Sequence, residues 1–167
     1  ITPWNFPLIM ALWKAGPALA AGNTVILKPA PLTPGSTLRL AELAAAAGLP
    51  AGVLNVVTGG GDIGSALAGH RGVDMVSVTG STATGRAVMQ GAVKDVKRVH
   101  LELGGKAPAL VFADADVAQM ARAVALGATY NTGQDCTAAT RVYIHRSIFD
   151  DAIAALRTEL KGIVIGD

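Results

Sequence analysis

The sequence predicts an α/β fold carried by a parallel sheet. Two observations predict it. Short apolar, β-branched stretches alternate with Ala-rich stretches of helical length along the chain, and such alternation builds parallel strands joined by right-handed crossovers. The composition agrees: of 167 residues, 51% are hydrophobic, 4% aromatic and 16% charged, with 20 Gly. That is a globular balance, neither disordered nor fibrous.

The elements follow in order. NTVILK (23–28) reads as a strand because β-branched residues cluster in it. PGSTLRLAELAAAAG (34–48) reads as a helix, with Pro near its start and Gly48 at its end. GVLNVV (52–57) is a strand, DIGSALAGH (62–70) a short helix and VDMVSVTG (73–80) a strand. STATGRAVMQGAV (81–93) is a helix that starts from that strand. RVHLEL (98–103) and APALVF (107–112) are strands, and DVAQMARAVALGATYN (116–131) is a helix. ATRVYIHR (139–146) is a strand. SIFDDAIAALRTELKG (147–162) is a final helix with Ser147 as its expected N-cap. No internal repeat or low-complexity linker interrupts this order.

Bulk properties exclude several classes of function. The net charge of +2 is small and the basic residues are scattered, which argues against a nucleic-acid partner. The most apolar stretch, FPLIMALWKAGPALAAG, is interrupted by Lys14, Gly16 and Pro17, so no membrane span is expected. A single cysteine cannot form an internal disulfide, which fits a reducing compartment such as the cytoplasm. The chain opens on ITPWNFP rather than Met and stops at IVIGD. Both read as text from the middle of a longer protein.

In a parallel α/β sheet the ligand sites follow the carboxyl ends of the strands. After GVLNVV comes TGGGDIG, in which Gly59, Gly61 and Gly64 match G-x-G-x-x-G. That spacing fits either a dinucleotide loop or a tight strand-to-helix turn. The acid that usually follows about 20 residues later, to hold a ribose, is absent: Thr84 and Gly85 stand there. After VDMVSV comes TGSTATG, where Gly80 and Ser81 open a helix. Ser81 and the free backbone N–H groups there can receive a phosphate, or Ser81 can act as a plain N-cap. Lys28 ends a strand in LKPAP, as a surface lysine or as a cation at the ligand edge.

The lone thiol, Cys136, lies in NTGQDCTAATR, a polar Gly–Gln–Asp loop. Free cysteines are usually buried and inert, whereas a reactive one needs access and activation. The local residues leave both readings open, since the neighbouring carboxylate of Asp135 opposes thiolate formation. Glu102, in LELGGK, is either paired with Lys106 or a general base whose pKa is raised by burial. Asn5, in PWNFP, can cap a turn or offer an amide to an oxyanion. His70, His100 and His145 show no metal-ligand spacing, and no metal site is expected.

PWNFP, LKPA, VTGST, LELGGK and GQDC occur in this order. Together they closely resemble the NAD(P)-dependent aldehyde dehydrogenase superfamily, over essentially the whole chain. The resemblance implies an aldehyde dehydrogenase-like fold, of which residues 1–104 would be part of the NAD(P)-binding domain and residues 105–167 the start of the catalytic domain. It implies that Cys136 is the nucleophile, that Asn5 helps bind the oxyanion, that Glu102 activates water and that Lys14 relays a proton. On the cofactor side it implies Thr2, Pro3 and Trp4 beside the nucleotide, Lys28 on the adenosine ribose and Gly59 near the adenine. It puts Gly80 and Ser81 at the pyrophosphate, and Leu103 and Gly104 near the nicotinamide. The TGST loop, not the G-x-G-x-x-G loop, would then hold the pyrophosphate. Pro31 stands where many NAD-preferring relatives carry a ribose-binding Glu, so NADP remains open beside NAD. NTGQDCTAATRVY looks most like the aminoaldehyde branch, the 4-aminobutyraldehyde and betaine aldehyde type, with Asp135 attracting a cationic ω-amine or merely ordering its loop. The resemblance further implies a small-molecule aldehyde substrate and a homodimeric or homotetrameric parent. A coenzyme A-acylating relative and a catalytically silent structural relative are the alternatives.

Overall fold

The computed structural model describes residues 1–166. The chain divides into two compact units, Ile1–Leu103 and Gly104–Asp167. The first contains α1 (Pro7–Ala20), β1 (Val25–Leu27), α2 (Gly35–Ala46), β2 (Leu54–Val56), α3 (Gly61–Gly69), β3 (Met75–Gly80), α4 (Thr82–Val93) and β4 (Arg98–Leu103). The second contains β5 (Ala107–Val111), α5 (Val117–Thr129), a 3₁₀ turn at Tyr130–Gly133, β6 (Ala139–Ile144), a 3₁₀ turn at Arg146–Ile148 and α6 (Phe149–Lys161).

All strand pairs are parallel: β1 with β2, β3 with β4 and β5 with β6. The extended residues Ile1 and Thr2 join the first two pairs. Thr2 N–H donates to the Lys28 carbonyl at 3.0 Å, and the Ile1 carbonyl accepts the Thr79 N–H at 3.1 Å. The lateral order in the first unit is therefore β2, β1, residues 1–2, β3, β4. From residues 1–2 the chain builds outward through β1 to β2, then returns to the other side for β3 and β4. That reversal is a topological switch point, the place where open α/β sheets hold ligands beyond their carboxyl ends.

Strand alternation sorts the helices onto the two faces. Val76 and Val78 of β3 point into a cluster with Ala68 of α3 and Val88 of α4, flanked by Val99 and Leu101 of β4. Leu27 of β1 packs with Ala11 and Ala15 of α1, flanked by Leu40, Leu54 and Val56. With side chains alternating across a strand, Ser77 of β3 must face away from the α3–α4 layer, and it meets Lys14 of α1. The small side chains of Ala11 and Ala15, one turn apart, let α1 lie close on the sheet.

Helix α1 has no counterpart among the elements expected from sequence, because Gly16 and Pro17 read as breakers. It forms because Pro7 is at the helix start, where a missing N–H costs nothing. Pro17 lies in its last turn and still accepts from Ala21 N–H. The strands β1 and β2 are shorter than the runs 23–28 and 52–57 expected for them. The expected N-cap Ser147 is a correction. It lies inside the 3₁₀ turn before α6, its N–H donates to His145 Nδ1, and Ile148 holds the cap position without a side-chain bond. The Ser147 hydroxyl is 2.8 Å from the same Nδ1, so a local turn outcompetes the cap.

Candidate active site

The carboxyl edge of the first unit collects the expected cofactor residues by topology. Residues 1–2 lead into Pro3, Trp4 and Asn5, β1 into Lys28 and Pro31, β2 into Gly59, and β3 ends in Gly80 before Ser81. Leu103 ends β4, and Gly104 opens the second unit. Thr2 is buried and its hydroxyl has no partner among the described residues; the same holds for the hydroxyl of Thr79. Polar atoms left open at a ligand edge need an acceptor or donor from elsewhere. Lys28 is 5% exposed, and its Nζ donates to the Pro29 carbonyl at 3.2 Å. Burial holds its pKa below the ordinary lysine value, and the charge of Asp62 opposes that shift.

At α4 the cap reading of Ser81 is correct: its Oγ accepts the Thr84 N–H at 3.1 Å. The cap does not exclude a phosphate, because the N–H groups of Thr82 and Ala83 still lack intrahelical acceptors. Gly85 is needed one turn in. A Cβ there would lie 2.9 Å from Leu103 Cδ2, so the glycine lets α4 settle on β4. The G-x-G-x-x-G segment is a turn into α3. Gly59 has φ of +146° and a Cβ would lie 2.4 Å from Ile63 Cγ1, which only glycine accommodates. These residues fit a dinucleotide: a capped helix start, a buried cation and unpartnered hydroxyls along one sheet edge.

Lys14, Ser77, His100 and Glu102 form a connected row in the first unit. Lys14 Nζ donates to Ser77 Oγ at 2.9 Å, Ser77 Oγ lies 2.8 Å from His100 Nδ1, and His100 Nε2 lies 3.2 Å from Glu102 Oε1. Register makes the row possible: Ser77 pairs with His100 across β3 and β4, and His100 and Glu102, two apart, share one face of β4. Lys14 is half-buried. Desolvation lowers its pKa from the ordinary lysine value, while the charge of Glu102 pulls it back up. Two expectations for Glu102 are corrected. It contacts His100 rather than Lys106, and its side chain is 58% exposed rather than buried, because the odd residues of β4 face inward and the even ones outward. His100 was weighed from sequence only as a metal ligand; the signal for its place beside Glu102 was in the alternation V-H-L-E-L.

In the second unit Cys136 is exposed at the tip of a β-turn closed by Ala138 N–H donating to the Asp135 carbonyl at 3.2 Å. The strand-end rule does not find it, since it precedes β6 at the amino edge. Three consecutive left-handed residues set up the loop: Asn131 (φ +51°), Thr132 (φ +61°) and Gly133 (φ +71°). For a β-branched residue such as Thr132 that conformation is strained. Asp135 Oδ1 accepts the Thr137 N–H and hydroxyl, each at 2.9 Å. The Thr137 bonds, with a smaller contribution from the Cys136 thiol, hold the Asp135 carboxyl below the usual carboxylate range, against slight desolvation. Asn5 immediately precedes the Phe6 cap of α1.

Among the described residues no group of three or more His, Cys, Asp and Glu side chains could hold a metal ion. No helix among them is long and apolar enough to cross a membrane.

A parallel sheet whose carboxyl edge holds a capped helix start, a buried lysine and open hydroxyls is a dinucleotide-binding α/β scaffold; the second unit, by itself, carries an exposed thiol on a hydrogen-bonded turn. The aldehyde dehydrogenase family profile matches residues 1–167, and the chain belongs to that family. It is 53% identical over 167 residues to a phenylacetaldehyde dehydrogenase of Pseudomonas fluorescens, covering 99% of this chain and 33% of that protein. It is 52% identical over 162 residues to the NADP/NAD-dependent aldehyde dehydrogenase PuuC of Escherichia coli strain K12, covering 95% of this chain and 33% of the relative. Among solved structures, a gamma-glutamyl-gamma-aminobutyraldehyde dehydrogenase from Burkholderia cenocepacia superposes with a TM-score of 0.95 at 49% identity, covering 99% of this chain and 34% of that one. The chain thus spans about a third of the length of the relatives it matches.

Proposed function

We propose that the protein containing this chain oxidises an aldehyde to its carboxylic acid with NAD(P)⁺ through a covalent adduct on Cys136. The observation that carries this reading is the lone cysteine, exposed at the tip of a hydrogen-bonded turn, in a chain of the aldehyde dehydrogenase family. Residues 1–104, the first unit together with Gly104 of the second, are the cofactor-binding part, and 105–167 begins the catalytic part.

Thr2, Pro3, Trp4, Lys28, Gly59, Gly80, Ser81, Leu103 and Gly104 hold the cofactor: Lys28 at the adenosine ribose, the start of α4 at the pyrophosphate. When bound, the nicotinamide supplies the hydride acceptor. Cys136 Sγ attacks the aldehyde carbon, and the Asn5 amide with the Cys136 N–H binds the oxyanion of the thiohemiacetal. Loss of hydride leaves a thioester on Sγ. Glu102 then takes a proton from water, the new C–O bond forms, the C–S bond breaks and the acid departs. Lys14 carries the proton onward.

The proposed substrate class is an ω-aminoaldehyde. The support is the ionised carboxylate of Asp135 beside the thiol, together with the γ-aminobutyraldehyde type of the Burkholderia relative. The phenylacetaldehyde type of the Pseudomonas relative favours a neutral aldehyde as the second reading. The single thiol fits a cytoplasmic setting, and the proposed parent is a homodimer or homotetramer. The test is product analysis with purified parent protein, NAD⁺ and 4-aminobutanal. Free acid formed without coenzyme A supports the proposal. An absolute demand for coenzyme A replaces it with the acylating reaction, and no product from any aldehyde points to a silent relative.

A further inference from the structure

With His100 as a neutral imidazole, the row Lys14–Ser77–His100–Glu102 has one hydrogen-bond direction that satisfies every member. Lys14 Nζ has only protons to give, so Ser77 Oγ accepts from it. Ser77 can then give its own proton to His100 Nδ1 at 2.8 Å. That leaves Nδ1 as the acceptor nitrogen and puts the ring proton on Nε2, which faces Glu102 Oε1 at 3.2 Å. The orientation of one ring nitrogen is set by what the other one bonds.

We infer that Ser77 and His100 are positioning residues for the deacylating base: Ser77 fixes the His100 ring with its Nε2–H toward Glu102, and that N–H holds Oε1 so that Oε2 is presented to water. The inference rests on the reading of Glu102 as the base that hydrolyses the Cys136 thioester. The balance of the step is unchanged by it. Water adds to the acyl carbon as its proton passes to Glu102, the C–S bond breaks, and Cys136 leaves as thiolate. The two strands supply the geometry without a loop, since the Ser77–His100 register is a backbone pairing and β4 is extended through both His100 and Glu102. A base held by a second residue in a fixed tautomer loses less entropy on reaching the transition state than one that swings freely in solvent.

The test separates acylation from hydrolysis in the parent enzyme. 4-Nitrophenyl acetate, an activated ester, acylates the thiol without any redox step, so hydrolysis can be followed without cofactor. Steady-state nitrophenolate release is measured, and intact-protein mass spectrometry of acid-quenched samples gives the acetylated fraction at Cys136. For His100→Leu the inference expects turnover to fall about tenfold or more while the acetylated fraction rises. Hydroxylamine, a nucleophile that needs no base, should restore release. Ser77→Ala should move both readouts in the same direction by less, Ser77→Thr should restore them, and His100→Gln, whose amide can still donate, should recover part of the loss. Unchanged turnover in His100→Leu and Ser77→Ala overturns the inference, as does a fall in turnover without accumulation of the adduct. Absence of an adduct on Cys136 in every variant and in the wild type overturns the reading of the thiol itself, a result distinguishable from indifference to His100.

Discussion

Asp135 Oδ1 receives both the N–H and the hydroxyl of Thr137, each at 2.9 Å, across the residue that carries the thiol. The carboxylate thus pins the turn at whose tip Cys136 is exposed. It can do so and still project its charge, because these bonds favour the ionised form and the carboxyl is only slightly desolvated.

The two roles of Asp135 separate by substitution. Asp135→Asn keeps an acceptor oxygen for Thr137 but removes the charge. It is expected to raise KM for 4-aminobutanal about two- to fivefold, the worth of an exposed ion pair, and to leave KM for pentanal unchanged. Asp135→Ala removes the turn as well and should impair both substrates. Equal effects of Asp135→Asn on the two aldehydes would assign the residue to the loop alone.

The same carboxyl carries a pH signature. Its folded pKa lies below the ordinary value of 3.8, so the native state favours the charged form. Its stabilising contribution is complete above that ordinary value and is lost as pH falls through the lower folded value. The melting-temperature difference between wild type and Asp135→Ala should therefore be constant near neutrality and shrink below about pH 4. A difference independent of pH would contradict the hydrogen-bonded carboxylate.

Two backbone positions at the cofactor edge test the packing account. Gly59→Ala puts a Cβ into Ile63 at a φ only glycine adopts freely and should cost about 2 kcal/mol or more by urea unfolding. Ser81→Ala removes the α4 cap and should cost about 1 kcal/mol. A neutral Gly59→Ala would show that the turn relaxes, and a neutral Ser81→Ala would show that Thr84 N–H finds another acceptor.

Much of the architecture was legible in the chain, for identifiable reasons. β4 was readable as a strand over 98–103, the range it occupies, although which of its residues face outward was not. The cap of α4 was readable as Ser81, whose side chain does accept from Thr84; Asp116, whose side chain caps α5 by accepting from Gln119, reads from sequence as the first residue of that helix. Helix α1 was not readable, because Pro17 is a breaker by local rule and is tolerated only through its place in the last turn. Glu102 was misjudged because an acid in an apolar run looks buried unless its strand face is known. Its tie to His100 depended on register and on Ser77, residues far apart in sequence. The roles of the residues proposed for the cofactor came from the resemblance; the lateral strand order that puts Thr2, Lys28 and Gly80 at one edge depended on Ile1 and Thr2 bridging β1 and β3, which no local pattern reveals.

Pro31 bears on cofactor choice. It follows β1 beyond Lys28, at the edge assigned to the adenosine ribose, and it brings no negative charge to repel a 2′-phosphate. Pro31→Glu is expected to raise KM for NADP⁺ about tenfold while leaving KM for NAD⁺ within about twofold, since a like charge at a ribose phosphate costs on the order of 1–2 kcal/mol. Equal KM changes for both cofactors would remove Pro31 from the discrimination.

The central claim is that Cys136 is the covalent catalyst of aldehyde oxidation. The most direct measurement is absorbance at the reduced-nicotinamide band, with the parent protein, NAD⁺ and 4-aminobutanal, and with neutral aldehydes in parallel. The account predicts a signal from the wild type that Cys136→Ala abolishes, with the fold retained by circular dichroism. A Cys136→Ala protein that still reduces the cofactor at the wild-type rate would contradict it.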